Sequence, residues 1–239
     1  MAIQDTSIPE ILLIDKPAAM TSFDVIRTLR KQTGLKKFGH AGTLDPAATG
    51  LLVLGVGSGT RQLTALTKLD KEYEATIFLG ASTTTSDRDG KVLDHAVVDA
   101  STVTAERVQT VLNALVGELM LPVSAYSAIK QDGVPMYKRA RAAAARGEVV
   151  TDLPLRVMRV YEAEVRDVCP KTFQGYVGMV VRVRFFVGSG TYIRSLAEEV
   201  GRRLGVPAML LELRRTKVGE FCIEQALQLG DIKNEPAAN

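Results

Sequence analysis

Residues 39–57 read GHAGTLDPAATGLLVLGVG. With the lysines before it, the first half runs KKFGHAGTLDPAATG (36–50) and holds three glycines and a proline at no usable period. That predicts a loop. The second half, LLVLGVG (51–57), is an almost unbroken apolar run of strand length, which predicts a buried strand. Upstream, ILLIDKP (11–17) is a short apolar strand stopped by Pro17. TSFDVIRTLRKQTG (21–34) is a helix of about three turns. Ser22 can cap it, Phe23, Val25, Ile26 and Leu29 form its apolar stripe, and Gly34 sits where a C-cap belongs.

Downstream, GTRQLTALTKLD (59–70) is a short helix leading into EYEATIFLG (72–80). There Tyr73, Ala75, Ile77 and Leu79 alternate with Glu72, Glu74, Thr76 and Phe78, a period of two that predicts a strand. TTTSDRDGKVLD (83–94) reads as an exposed loop and hairpin turn, with Asp89-Gly90 supplying the tight turn. TAERVQTVLNALVG (104–117) is a helix capped by Thr104, YSAIK (126–130) a short strand, and PMYKRARAAAARGE (135–148) a thin alanine-rich helix. Residues 155–166 and 176–187 form a long antiparallel pair, the second with Val177, Met179, Val181, Val183 and Phe185 on one face. A helix over about 191–204 carries the stripe Ile193, Leu196, Ala197, Val200 and Leu204. AMLLELRRTKVGEF (208–221) gives one or two strands, and a short helix begins near Glu224. The sum is a mixed α/β (α+β) domain around an antiparallel-rich sheet. Its expected extent is residues 11–229, after a flexible N-terminus (1–10) and before a polar tail (230–239).

Composition bounds the chemistry. The chain has 239 residues, 46% of them hydrophobic, enough for a real core. Cys169 and Cys222 are its only cysteines, so no disulfide framework and no paired-cysteine zinc site is expected. His40 and His95 are its only histidines, which excludes a histidine-rich metal centre. The N-terminus lacks a basic start and a long apolar run, and no stretch approaches a membrane span. A soluble cytoplasmic protein is expected. GVGSGT (55–60) and GSGT (188–191) look like phosphate loops, but neither has the P-loop lysine or the dinucleotide spacing. Net charge is only +3, so any nucleic-acid surface must come from local patches. Three exist: Arg27, Arg30, Lys31, Lys36 and Lys37; then Lys130, Lys138, Arg139, Arg141 and Arg146; then Arg202, Arg203, Arg214, Arg215 and Lys217. Together they fit a phosphate-binding surface.

Three residues stand out for chemistry. Asp45 is either an Asx-turn residue or a carboxylate held rigidly toward a cleft. Arg194 lies beside its helix's apolar stripe, as a surface ion-pair partner or as a group that orients an active-site carboxylate. Tyr73 is either a core tyrosine or a ring that stacks on an extruded base.

GHAGTLDPAATGLLVLGVG closely resembles the signature of the TruB family of bacterial tRNA pseudouridine synthases. DKPAAMTSFDVI (15–26), KEYEATIFLG (71–80), GSGTYIRSLAEEVGRRLG (188–205), YSAIK and LELRRTKVG (211–219) resemble further family motifs in the same order. The resemblance implies the pseudouridine synthase fold, with a catalytic cleft across a mixed sheet. It implies Asp45 as the catalytic aspartate, Tyr73 packing on the target base, and Arg194 paired with the aspartate. Lys16 and Leu213 fall at pocket positions, and His40 at the histidine that enters the T-loop RNA. Residues 124–150 match a thumb that closes on RNA, with Lys130, Arg139, Arg141, Arg214 and Arg215 as phosphate contacts. The implied reaction converts the uridine at tRNA position 55 to pseudouridine, with no metal or cofactor. The implied partner is the T stem-loop of tRNA, with no DNA, membrane or obligatory protein partner, and the protein acts as a monomer. Asp45 could attack C1′, attack C6, or remove H2′ to give a glycal; the residues leave all three open. A non-catalytic RNA chaperone would not require Asp45, Tyr73 and Arg194 together, and a nucleotide-dependent enzyme would need a lysine that the glycine loops lack.

Two stretches depart from the family pattern. Before YSA the family carries a glutamine and paired prolines, whereas this chain reads LMLPVSAYSAIK (119–130) with Pro122 alone. The alanine run in RARAAAARGE (139–148) is also expanded. A short form without the family's C-terminal PUA-type domain is expected.

Overall fold

The structure is a computed structural model that describes residues 8–127 and 129–232. The expected flexible N-terminus and polar tail fall for the most part outside the described residues. In chain order the first elements are β1 (Ile11–Lys16), α1 (Ser22–Thr33), β2 (Phe38–His40), β3 (Thr49–Val56), α2 (Leu63–Thr67) and β4 (Lys71–Leu79). Then come β5 (Ala81–Thr83), β6 (Val92–His95), α3 (Ala105–Asn113), β7 (Gly117–Pro122), β8 (Lys130–Gln131), β9 (Val134–Pro135) and α4 (Met136–Ala144). The last are β10 (Leu155–Phe173), β11 (Tyr176–Val187), α5 (Ile193–Leu204), β12 (Ala208–Val218), β13 (Phe221–Cys222) and β14 (Leu227–Gln228). Packing divides the chain into two compact units: Met1–Tyr73 with Leu213–Asn239, and Glu74–Glu212. Both are mixed α/β with antiparallel-rich sheet, as the sequence predicts.

In the first unit the strand order is β14-β1-β3-β12-β4. β1 runs antiparallel to β3, Ile11 opposite Gly55 and Lys16 opposite Gly50, while β12 runs parallel to β3. Leu52, Leu54 and Val56 of β3 pack with Leu12, Ile14, Val25, Ile26 and Leu29 on one face. Leu51 and Val53 pack with Ala41 and Val218 on the other. That two-sided burial is why β3 is apolar at almost every position. α1 starts one residue earlier than expected. Thr21, not Ser22, is the N-cap, in a capping box with Asp24. Ser22 thereby becomes the first helical residue, with its hydroxyl free to serve elsewhere. Gly34 ends the helix in the left-handed conformation, as predicted.

In the second unit the order is β12-β4-β11-β10-β7. β10 and β11 pair antiparallel, with register shifts at Val160/Glu162 and Val165/Asp167. Such bulges free backbone groups, and Gln109 of α3 meets them: its side-chain amide donates to Ala163 O at 3.0 Å and accepts from Val165 N at 2.9 Å. The predicted stripe of α5 is buried throughout.

Three expectations are corrected. β4 is central, so its second face is also covered: Glu72, Thr76 and Phe78 are buried, where alternation had placed them outward. The 83–94 segment forms the expected hairpin, β5 pairing antiparallel with β6, but it is not the exposed turn that the sequence predicts. Its loop docks along β12, with Arg88 N donating to Leu210 O and Leu210 N to Ser86 O, and Ser86 adopts a positive φ of 62°. On β11, Val177 is exposed while Met179, Val181, Val183 and Phe185 are buried.

Gly50 begins the tight contact between β3 and β12. Its φ is +101°, and a Cβ there would lie 2.3 Å from Arg215 O. Gly50→Ala should therefore lower the unfolding free energy by about 2–4 kcal/mol. Gly34→Ala, with φ +72° but open space around it, should lose about 1 kcal/mol. Urea unfolding of the two variants checks this, and equal losses would contradict the steric reading of Gly50.

Candidate active site

The first unit builds a rigid frame around Asp45. Every second residue of β1 points inward, so Leu12, Ile14 and Lys16 share the core face. Lys16 is thus fully buried at the strand's end. Its ammonium donates to Pro17 O at 2.8 Å, Met20 O at 2.7 Å and Pro46 O at 3.3 Å. The Ser22 hydroxyl accepts from Leu44 N at 3.0 Å. Arg215, 1% exposed, donates from Nε to Leu51 O at 2.7 Å and from Nη2 to Gly42 O at 3.2 Å. Asp45, half-buried, therefore sits in a loop tied at Gly42, Leu44 and Pro46, and its own carbonyl accepts from Ala48 N.

The electrostatics of this frame are unusual. Burial pulls the Lys16 ammonium down to a pKa of about 8; Asp45 opposes that shift and Arg215 adds to it. Lys71, donating to Thr67 O and Leu69 O, is likewise drawn to about 8 by burial and by Arg215. His40 on β2 is lowered from its ordinary value by burial and then by Arg215. Among the described residues its buried Nδ1 has no hydrogen-bond partner. Tyr73, at the end of this unit's part of β4, is 8% exposed, and Leu213 on β12 is half-buried.

The second unit fixes Arg194 in the first turn of α5. Its Nη1 donates to Ser124 Oγ at 2.7 Å and Thr85 O at 3.0 Å, and its Nη2 to Tyr126 O at 3.3 Å. The Asp87 carboxylate lies 3.8 Å away. Arg194 is 5% exposed, so it is not a surface ion-pair partner. One turn along the helix, burial pushes the Glu198 carboxyl up, against a hydrogen bond with Ser86 and the Arg194 charge.

The expected phosphate contacts divide. Lys130 and Arg141 are exposed, Arg141 over the Tyr137 ring and Arg139 facing Asp132 at 3.5 Å. Arg214 keeps an open side, but its guanidinium forks onto Asp15 at 3.0 and 2.8 Å. Arg215 is a correction: strand alternation turns it into the core, so it serves the frame and not a phosphate. Arg202 and Arg203 of the same basic run are matched by Glu199 three and four residues before them. Sequence reasoning missed Ser22, Lys71 and Ser124. Only the helical spacing of Arg194 and Glu198 carried a readable signal. Among the described residues no three His, Cys, Asp or Glu side chains group as a metal site would need.

Residues 30–193 match the profile described as "TruB family pseudouridylate synthase (N terminal domain)". The chain is 48% identical over 224 residues to tRNA pseudouridine synthase B of Corynebacterium efficiens, covering 94% of this chain and 72% of that one. It belongs to the TruB family. The corresponding protein of Leifsonia xyli is 46% identical over 95% of this chain and 72% of its own, and that of Thermobifida fusca 42% over 94% and 74%. Among solved structures, an H/ACA ribonucleoprotein bound to a substrate RNA containing 2′-deoxyuridine aligns at TM-score 0.64 and 28% identity over 92% of this chain. A Cbf5-Nop10-Gar1 complex aligns at 0.65 and 28%, again over 92%. The chain spans about half the length of those two structural neighbours. As a TruB family member it is a pseudouridine synthase, an isomerase acting on RNA.

The depressed lysines make a pH prediction. Between a folded pKa of about 8 and the ordinary 10.5, the unfolded chain binds more protons than the folded one. Stability should therefore rise with pH across that window, and Lys71→Met should flatten the rise. Urea midpoints over the same range test it; a steady fall in the wild type would contradict the assignment.

Proposed function

We propose that this TruB family chain converts the uridine at position 55 in the T loop of tRNA to pseudouridine, with Asp45 as the catalytic carboxylate. The observation that carries the reading is the frame around Asp45. A half-buried carboxylate sits on a loop tied at three points, and its charge is answered by the buried Lys16 ammonium. Rigid placement of a reacting group is worth several powers of ten in rate. The bacterial relatives named above favour tRNA as substrate.

The chemistry sets the tasks. The target base is stacked and must be flipped out, at a cost of a few kcal/mol that contacts to RNA must offset. His40, the exposed cations Lys130 and Arg141, and the half-buried Arg139 supply those contacts, with Arg214 beside them. The N1–C1′ bond breaks, the uracil turns, a C5–C1′ bond forms, and the C5 proton leaves. Tyr73 packs against the base, Leu213 and Lys16 close the pocket, and Arg194 orients the Asp45 carboxylate. Asp45 acts as nucleophile at C1′ or C6, or as the base that takes H2′. The chain works as a monomer in the cytoplasm, on tRNA alone.

Asp45→Asn should abolish pseudouridine formation while RNA binding changes little. Mass-spectrometric mapping of tRNA transcripts after incubation reads the product, and gel-shift titration reads the binding. Turnover by the asparagine variant, once reversion by deamidation is excluded, would refute a chemical role. Arg194→Lys should be slowed at least about tenfold, because an ammonium cannot reproduce the fork of donors that now meets Ser124, Thr85 and Tyr126. A lysine variant at the wild-type rate would remove Arg194 from the account.

A further inference from the structure

Ser124 lies in the stretch where the chain departs from its family's pattern, and its hydroxyl is a junction. It accepts from Arg194 Nη1 at 2.7 Å and from Tyr126 N at 3.3 Å, and donates to Thr85 O at 3.4 Å. It is 2% exposed, so no solvent competes for these bonds. The bond from Arg194 is the shortest that the guanidinium makes to these three partners. A charged donor makes it one of the stronger kind.

Its place in the chain gives the junction a second property. Residues 124–153 are an excursion between β7 and β10, closed at the neck where Val123 N donates to Pro154 O and the Ser195 hydroxyl to Pro122 O. Beyond the neck, Tyr137 N donates to Ser127 O and Met136 N to Ile129 O, tying α4 and its cations to the segment that starts at Ser124. Both side-chain and main-chain oxygens of the excursion's root, Ser124 Oγ and Tyr126 O, therefore hold the Arg194 guanidinium. Displacing the root would turn the guanidinium.

We propose that Ser124 is a positioning residue for the isomerisation: its hydroxyl fixes the Arg194 guanidinium and links that orientation to the basic excursion 124–153. The inference rests on the proposed role of Arg194. The bond acts on chemistry and not on RNA affinity, since Ser124 is buried and the exposed cations of the excursion are unchanged by its loss.

The test is a single-turnover assay with enzyme in saturating excess over tRNA whose uridines carry tritium at C5, read as tritium release. Ser124→Ala and Ser124→Cys should each lower the first-order rate constant about tenfold, the loss of one hydrogen bond to a charged group. The RNA dissociation constant should stay within about twofold. A purely structural lesion would reduce the active fraction and leave the rate constant at saturation unchanged. The thiol nearly preserves volume while accepting hydrogen bonds weakly, so it carries the test alone if the alanine variant does not fold. Rate constants within twofold of wild type, or a loss confined to RNA affinity, would overturn the proposal. A wild-type enzyme that releases no tritium from tRNA would instead overturn the proposed function.

Discussion

A buried guanidinium organises the first unit. Arg215 is 1% exposed and donates to the carbonyls of Gly42 and Leu51, so it joins β12, the start of β3 and the glycine-rich loop. A buried charge is costly unless its donors are met, and here backbone carbonyls meet two of the guanidinium nitrogens. The glycines follow from it. Gly50 must have no side chain because Arg215 O lies where its Cβ would be, and Gly42 gives the guanidinium a carbonyl from a backbone at φ +94°. The same charge reaches outward. It contributes to the lowered pKa values of Lys16, His40 and Lys71.

That frame explains how a loop of small residues can hold the Asp45 carboxylate in place. Ser22, Lys16 and Arg215 approach the loop from α1, β1 and β12, the first two consecutive in the chain and the third far from both. None contributes a flexible surface side chain. Lys16 is at the end of a strand, Ser22 in the first turn of a helix, and Arg215 inside a sheet. In the second unit the arrangement is reversed: Arg194 stands on α5 and is held by two carbonyls and one hydroxyl on segments that lack regular structure. In the first unit, rigid elements carry the supports and a loop carries the group they support.

Much of this was legible in the sequence, and the rest was not for definite reasons. β3 and the α5 stripe were readable because apolar runs and helical periodicity are local signals. The second face of β4 was not, because Glu72 and Thr76 look solvated until Thr216 and Glu212 are brought beside them by β12. Thr21 and Ser22 are adjacent and equally good caps; the capping box with Asp24 decides between them. Asp45, Arg194 and Lys16 stood out through a resemblance of motifs, while the supporting role of Ser22 did not. Ser124 has no local pattern that marks it, since Arg194 and Thr85 lie far from it in the chain, and Lys71 looks like any charged residue at the start of a strand. Arg215 was misread for the opposite reason: a basic run looks like a surface, and only the strand's alternation separates Arg214, facing Asp15, from Arg215, facing the core.

The field of the buried arginine is the claim on which this account most depends, and His40 reports on it. The measurement is an NMR titration of the His40 ring in the wild type and in Arg215→Gln, with His95→Gln as background so that one histidine remains. The account predicts a wild-type His40 pKa below its ordinary 6.5, moving up when the guanidinium is removed. A His40 that titrates at or above 6.5 in the wild type would contradict it.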